Sequence, residues 1–567
     1  LTPMVDFDFA AKSYAKNGLA VAFDDIFTYT RASSATFTNR RLKKNGGYEY
    51  FLDTDYVGSV ENLAKNSEDF TDADWVKSAT TVTSNETTSP FGDKTADRLL
   101  NGSGVSSFRV QQTVTTNNSH KRNFSCYVKI GPSKENIFSI ALYNNLFAEI
   151  AKIEVNLLNG AITASSGSPI SSSCIYVADG WYLCSISALC TPEFTGRLRV
   201  GTGSGVGDKD GYIWGAQITT SAKTLPYVKA LDTRPIKTFT ETLRTEYDAA
   251  TGKNLGALIE GASTNLALWS EDFSNAVWNK SSLTPTANAI IAPDGTLSGD
   301  LITITVGSGH ALSQPITVIA STQYAFSFYV KKGTATDLKY SVWDSTNLGN
   351  IVAPTSYFTE IGTDWTRISV TFTAPVGCTT AAIYPVRDSG VTGTAYIWGA
   401  QCEVLPFASS YIRTEGAAVS RSSDSLSVSP YDAINPSETS FNVVFDSASP
   451  TADFPMVFRH NALNSEHYRL YPSGDIAVMH ISTDNVIGIS GSWVVGEVQN
   501  FSGTYDGATS KLYVNKVFNQ QDATSAPLVI NPAFGLYIGM ESSNSKVING
   551  HISKFKTYAQ ALTAQEI

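Results

Sequence analysis

The 567-residue chain is short of charge, of cysteine and of long apolar runs, and each shortage narrows what it can be. Charged residues make up only 16%, against the usual quarter, and no apolar run approaches the about 20 residues of a membrane-spanning helix. The net charge is −10. Its one basic run, Arg40-Arg41-Leu42-Lys43-Lys44 before Gly46-Gly47, reads as a solvated turn, so neither nucleic acid nor membrane insertion is expected. Six cysteines are few for this length, and none has the Cys-x-x-Cys spacing of a metal site. The N-terminus lacks the charged and apolar regions of a signal peptide.

Catalytic signatures are missing too. There is no Gly-x-Ser-x-Gly elbow, no His-Glu-x-x-His and no Gly-x-x-x-x-Gly-Lys-Ser/Thr. The glycine cluster Gly201–Gly207 opens no helix and reads as a loop rather than a phosphate cradle. Residues 415–567 hold no Glu-x-Asp-x-x-Glu run to supply the paired carboxylates of a glycanase. His460 and His467 flank a turn; they read as surface residues, with a metal pair as the alternative. The expectation is a protein that is not an enzyme and carries no cofactor.

What is present is repetition. Tyr-Ile-Trp-Gly-Ala-Gln occurs at Tyr212–Gln217 and again at Tyr396–Gln401. Upstream, Asn62-Leu63-Ala64, Ser67-Glu68-Asp69-Phe70 and Trp75 match Asn265-Leu266-Ala267, Ser270-Glu271-Asp272-Phe273 and Trp278. Landmarks in one order at two places mean a duplicated domain. The offset falls from 203 to 184 along the copies, which makes the first 19 residues longer, nearly all of it between Gly131 and Trp181.

Short alternating apolar runs such as Phe124–Ile130, Ile153–Leu157 and Tyr212–Ile218 are punctuated by Gly, Asn, Ser and Asp, the cadence of antiparallel sandwiches or jelly rolls. Phe70–Trp75 alone suggests a turn of helix. Leu243–Asp248, a turn at Thr251–Asn254 and Leu255–Glu260 read as a β-hairpin. Cys174 and Cys184 flank another turn and would face each other; they read as reduced thiols, with a cross-strand disulfide as the alternative.

The expected fold is all-β. A small N-terminal β region, 1–60, serves for attachment; repeat 1 occupies 61–233, a hairpin connector 234–262, repeat 2 263–414 and a last sandwich 415–567.

Tyr505-Asp506-Gly507, Leu512-Tyr513-Val514-Asn515, Leu536-Tyr537-Ile538-Gly539 and Ala561-Leu562-Thr563-Ala564-Gln565-Glu566-Ile567 resemble the laminin-G/concanavalin A-like lectin superfamily, which implies a two-sheet sandwich from about Glu415 onward. That family usually has Gly where Lys516 stands. By the same resemblance Asp506 could contribute to a Ca²⁺ site, though it also reads as a turn residue. Thr30-Arg31-Ala32-Ser33-Ser34-Ala35-Thr36, Leu258-Ile259-Glu260-Gly261-Ala262-Ser263-Thr264-Asn265-Leu266 and the twin hexamers resemble modules of tailed-phage and prophage structural proteins. The resemblance implies carbohydrate-binding-like jelly rolls in a tail fibre, spike or head fibre on the virion surface. It would be a non-catalytic receptor-binding protein for host-surface polysaccharide, assembled with other virion proteins and, by analogy with fibres, as a homotrimer. In such proteins the Arg-Ala-Ser segment usually runs straight into the Leu-Ile-Glu hairpin; here repeat 1 lies between them. The alternatives are a decoration protein acting through protein–protein contacts, a bacterial adhesin and a polysaccharide depolymerase.

Sugars are held by aromatic faces and planar polar side chains. The tryptophans common to both copies, such as Trp181 and Trp365, read as fold anchors. Unshared residues are the better site candidates: Tyr143, Asn145 and Arg199 in repeat 1, and Tyr340, Trp343 and Arg387 in repeat 2. Alternation puts Tyr340 and Asp344 on one face with Val342, and Trp343 on the other.

Overall fold

The structure is a computed structural model. It describes the chain from Pro3 to Ile567 apart from residues 17, 22–26, 32, 43–47, 56–57, 102–108, 117–120, 134–136, 145, 191–193, 203–209, 222–223, 232–235, 240–242, 249–250, 307, 389, 429–434, 436, 448–455, 461–466, 470–474, 481–485, 491–495, 524–535 and 541–546. Among the described residues every regular element is a β-strand. The Phe70–Trp75 segment forms turns, not helix. Glycine, threonine and alternating apolar residues favour pleated strands and tight reversals over helix.

The two repeats share one plan. Repeat 2 stacks two five-stranded antiparallel sheets. One has the order Asn279–Ser281, Ala311–Thr317, Thr380–Arg387, Lys339–Asp344, Gly349–Ser356; the other centres on Gly393–Glu403 between Leu297–Ile304 and Gln323–Lys332. Repeat 1 has the same strand order, but each of its sheets has six strands. The extra pair of strands, Ala161–Gly167 and Pro169–Tyr176, adds one edge strand to each sheet. It lies where the spacing placed the 19-residue excess.

The shared landmarks prove to be packing devices. Trp75 and Trp278 are buried against Phe70 and Phe273 at centroid distances of 4.7 and 4.8 Å, both at 47°. Their indole N–H groups donate to the carbonyls of Asn66 and Trp269. In the hexamers Gly215 and Gly399 take φ of 59° and 64°, each beside a register shift against the neighbouring strand, a β-bulge that glycine accommodates. Gln217 and Gln401 accept from the amides of Val228 and Ile412, pinning the chain that follows the strand.

The sequence boundaries at 60 and at 234–262 need correction. Val5–Asp8 pairs with the C-terminal strand Gly550–Tyr558, and Phe27–Thr30 pairs with Ser425–Val428. The expected hairpin forms, as Thr245–Tyr247 and Asn254–Ile259, but it adds to that same C-terminal strand. Phe7, Tyr29, Ala257 and Ile259 share one core with Phe441, Leu536 and Phe555. These segments are therefore parts of the C-terminal sandwich, and both repeats are inserted into it.

A buried ionic group joins the pieces. Asp424, 0% exposed, receives Arg244 at 2.5 Å, Arg31 at 3.2 Å and the Tyr29 hydroxyl at 2.5 Å. Glu260 receives Arg244 at 2.9 Å and the hydroxyl of Ser410 at 2.6 Å. Removing one partner from such a group leaves an uncompensated buried charge, a loss of about 3–5 kcal/mol. The Arg31 and Glu260 segments, which carried the resemblance, are thus structural.

Asn515 and Lys516 both adopt positive φ, 49° and 67°, so the Lys516 turn keeps its left-handed shape without glycine. Asp506 caps a turn, accepting from the amides of Ala508 and Thr509.

Candidate functional site

The outward face of repeat 2's first sheet gathers the candidates. Along Lys339–Asp344, Val342 is buried in the core while Trp343 lies half-exposed on the other side. The neighbouring Thr380–Arg387 strand sets Ala382 opposite Trp343, and Tyr384 opposite Ser341. By plain alternation Tyr384 and Arg387, three apart, would face opposite sides. A register shift against Ala311–Thr317, between Leu312 and Gln314, changes that. Tyr384 and Pro385 bulge there, and Pro385, without an N–H, suits a position outside the ladder.

The Arg387 guanidinium consequently lies 4.1 Å from the Tyr384 ring centroid and 5.7 Å from that of Trp343. Its Nη1 is buried and has no hydrogen-bond partner among the described residues. A cation over two rings gains about 0.5–2 kcal/mol depending on its desolvation. The face thus sets two aromatic rings and a guanidinium together, flanked by the short side chains of Ala382 and Ser341.

Of the six residues proposed from sequence, Trp343 and Arg387 come together. Tyr340 does not join them. It turns toward the core and stacks on Tyr357, at 6.0 Å and 4°. Asp344 is buried and caps a turn, accepting from the amides of Thr346 and Asn347. Tyr384 is the residue that sequence reading missed: alternation sets it on the face of Trp343, but only the register shift that follows brings Arg387 to the same side.

In repeat 1 the Tyr143 hydroxyl donates to Glu149 at 3.1 Å. Arg199 sits opposite Ala141, in register, on the strand Phe194–Thr202; its side chain and Asn145 lie outside the described residues. The same holds for the side chains of His460 and His467 and for most of Gly201–Gly207. By strand register Tyr143, opposite Arg197, occupies the place of Trp343, opposite Ala382, and Ala141 that of Ser341. Among the described residues no group of three or more His, Cys, Asp or Glu could hold a metal ion, and no helix is long and apolar enough to cross a membrane.

Residues 410–567 match the concanavalin A-like lectin/glucanases superfamily. No curated protein matches the chain. Among solved structures the chain is similar to the tandem CBM22 domain of Paenibacillus barcinonensis Xyn10C, at 12% identity over 62% of this chain and 98% of that one, with a TM-score of 0.22. It is also similar to domain 4 of the Geobacillus stearothermophilus arabinanase AbnA, solved with arabinotriose, at 15% identity over 28% and 79%, TM-score 0.21. A third is the enzymatically active domain of bacteriophage CBA120 tailspike protein 4, at 14% identity over 28% and 21%, TM-score 0.19.

Proposed function

We propose that the protein binds carbohydrate without transforming it, and that repeat 2 holds a sugar chain on the face formed by Trp343, Tyr384 and Arg387. The observation that carries the reading is Arg387, gathered with the Trp343 and Tyr384 rings on the outward face of the sheet. Pyranose C–H faces stack on aromatic rings, and guanidinium donors reach hydroxyls on the same sugar. An open sheet face suits an internal stretch of polysaccharide. The finer reading places the chain on the virion surface of a tailed phage, as a fibre or spike that adsorbs to host polysaccharide. The resemblance of the Arg-Ala-Ser, Leu-Ile-Glu and hexamer segments supports it, as does the presence of several sandwich domains, which multiply weak sites into avidity.

A glycan array followed by pull-down on host-surface polysaccharide tests this. Binding is expected, with no release of reducing ends. Trp343→Ala and Arg387→Ala should each weaken it roughly tenfold, the effect of losing about 1.4 kcal/mol. Unchanged binding in both variants overturns the assignment of the face, and released reducing ends overturn the non-catalytic reading.

A further inference from the structure

Between the repeats lies a cavity of about 270 Å³. Its floor belongs to repeat 2 and includes Trp269, Glu271, Asn288 and Arg413. Repeat 1 closes it with Ile170, Ser171 and Leu189, and Lys121 pairs with Glu415 across the boundary. Ile170 and Ser171 come from the extra edge strand Pro169–Tyr176 that repeat 2 lacks. The largest difference in length between the copies therefore builds a wall of this cavity.

The duplication supplies an internal control. Repeat 1 has a corresponding hollow of about 210 Å³, and Glu68, Asp69, Asn85 and Asp97 stand there where Glu271, Asp272, Asn288 and Asp300 stand in repeat 2. These shared residues hold up the fold: Asp97 and Asp300 each accept two backbone amides, from Phe70 and Asn85 and from Phe273 and Asn288. Other positions differ, three of them in size or charge. Asn66 becomes Trp269, Lys229 becomes Arg413, and Leu231 becomes Glu415. The backbone at both 66 and 269 is left-handed, φ 46° and 50°. Asparagine accepts that conformation readily and tryptophan does not. Packing alone would favour the asparagine. An indole, a guanidinium held at 3.0 Å by Glu271, and a further carboxylate are what the enclosed copy has and the open copy lacks.

We propose that the cavity between the repeats is a second carbohydrate site, which takes one uncharged pyranose residue with Trp269 as its stacking surface. The proposal rests on the glycan-binding reading and extends it from an internal stretch of chain to a single sugar. The volume of about 270 Å³ suits a single ring. The carboxylates of Glu271, Asp272, Asp294 and Glu415 outnumber the cations of Arg413 and Lys121, which disfavours sialic and uronic acids. An aromatic wall with a few convergent polar groups is the usual make-up of a small-ligand site.

Calorimetry or saturation-transfer NMR on the full chain, with a panel of neutral methyl pyranosides, N-acetylhexosamines, glucuronate and sialic acid, tests it. At least one neutral sugar should bind, and the acids should not. Trp269→Asn, which installs the repeat 1 residue, should weaken binding at least tenfold with an unchanged or higher melting temperature. Ser171→Trp, which fills the mouth from the other repeat, should do the same. Trp343→Ala should leave this binding intact while weakening polysaccharide binding, so the two sites fail separately. Absence of neutral-sugar binding, preference for the acids, or full binding by Trp269→Asn overturns the proposal.

Discussion

His551 shows how one residue can tie the sandwich to solution pH. Its Nδ1 meets Asp446 at 3.0 Å and its Nε2 meets Glu246 at 2.8 Å, so the ring bridges the C-terminal chain and the 245–259 hairpin. Burial pulls its pKa down, but hydrogen bonds to Asp446 and Glu246 outweigh burial and raise it to about 10 from 6.5. A folded pKa above the unfolded one means that the native state holds the proton more tightly. The contribution is complete below pH 6.5 and is lost as pH rises toward about 10. Urea midpoints measured from about pH 6 to pH 10 should fall across that window, and His551→Gln should start lower and change less. An equal slope in the variant would refute the assignment. At this scale the sequence was partly legible. Alternation separated Trp343 from Val342 correctly, yet it could not foresee that Tyr340 would find Tyr357 or that a bulge would bring Tyr384 beside Arg387.

Strand pairing governs the cysteines. Cys174 stands directly opposite Cys184, which stands opposite Cys126 on its other side, with the Cys174 and Cys184 sulfurs 3.1 Å apart. Burial pushes the Cys126 thiol up to about 12 and the Cys184 thiol well above its usual range. Only Cys174 of the six is half-buried rather than buried. Native protein treated with an alkylating reagent should therefore take label at Cys174 first, and at the other five only after unfolding, as read by peptide mass spectrometry. Fast labelling of Cys184 would contradict the pairing, and an absence of label at Cys174 under non-reducing conditions would reveal a disulfide. Elements of this size were the most legible. Period-two alternation marks strands wherever one face is buried, and the offset between copies placed the extra strands between Gly131 and Trp181. A turn at Ala178–Gly180 sets the Cys174–Cys184 register locally, so it could be read without knowing the rest of the sheet.

Partnership over long distances was not legible, and it defines the molecule. Val5–Asp8 alternates like a strand over its own four residues, but nothing local says that its neighbour is some 550 residues away. The hint was the separation of the Arg31 segment from the Glu260 hairpin, which the structure reunites around Asp424 through Arg31 and Arg244. Closing loops as long as a repeat costs little more than closing short ones, since each doubling adds only about 0.6 kcal/mol. A domain interrupted twice is therefore affordable, provided that its pieces share a core. The core is shared: Phe7 and Tyr29 lie against residues of the 441–555 strands, and Ala257 and Ile259 join them from the hairpin. Repeat 2, by contrast, has its own core around Trp278, Phe326 and Ile383, and its ends meet in the pair Ser263–Asn265 with Val419–Arg421. Expressed alone, residues 415–567 lack Phe27–Thr30 from one sheet, five strands including Val5–Asp8 and the 245–259 hairpin from the other, and the Arg31 and Arg244 partners of Asp424, so they should show no cooperative urea transition. Residues 263–421 expressed alone should unfold cooperatively, with Trp278 fluorescence reporting the transition. Cooperative folding of the isolated C-terminal piece would mean that the N-terminal strands and the hairpin decorate the sandwich rather than complete it, and that the buried charge on Asp424 finds compensation without them.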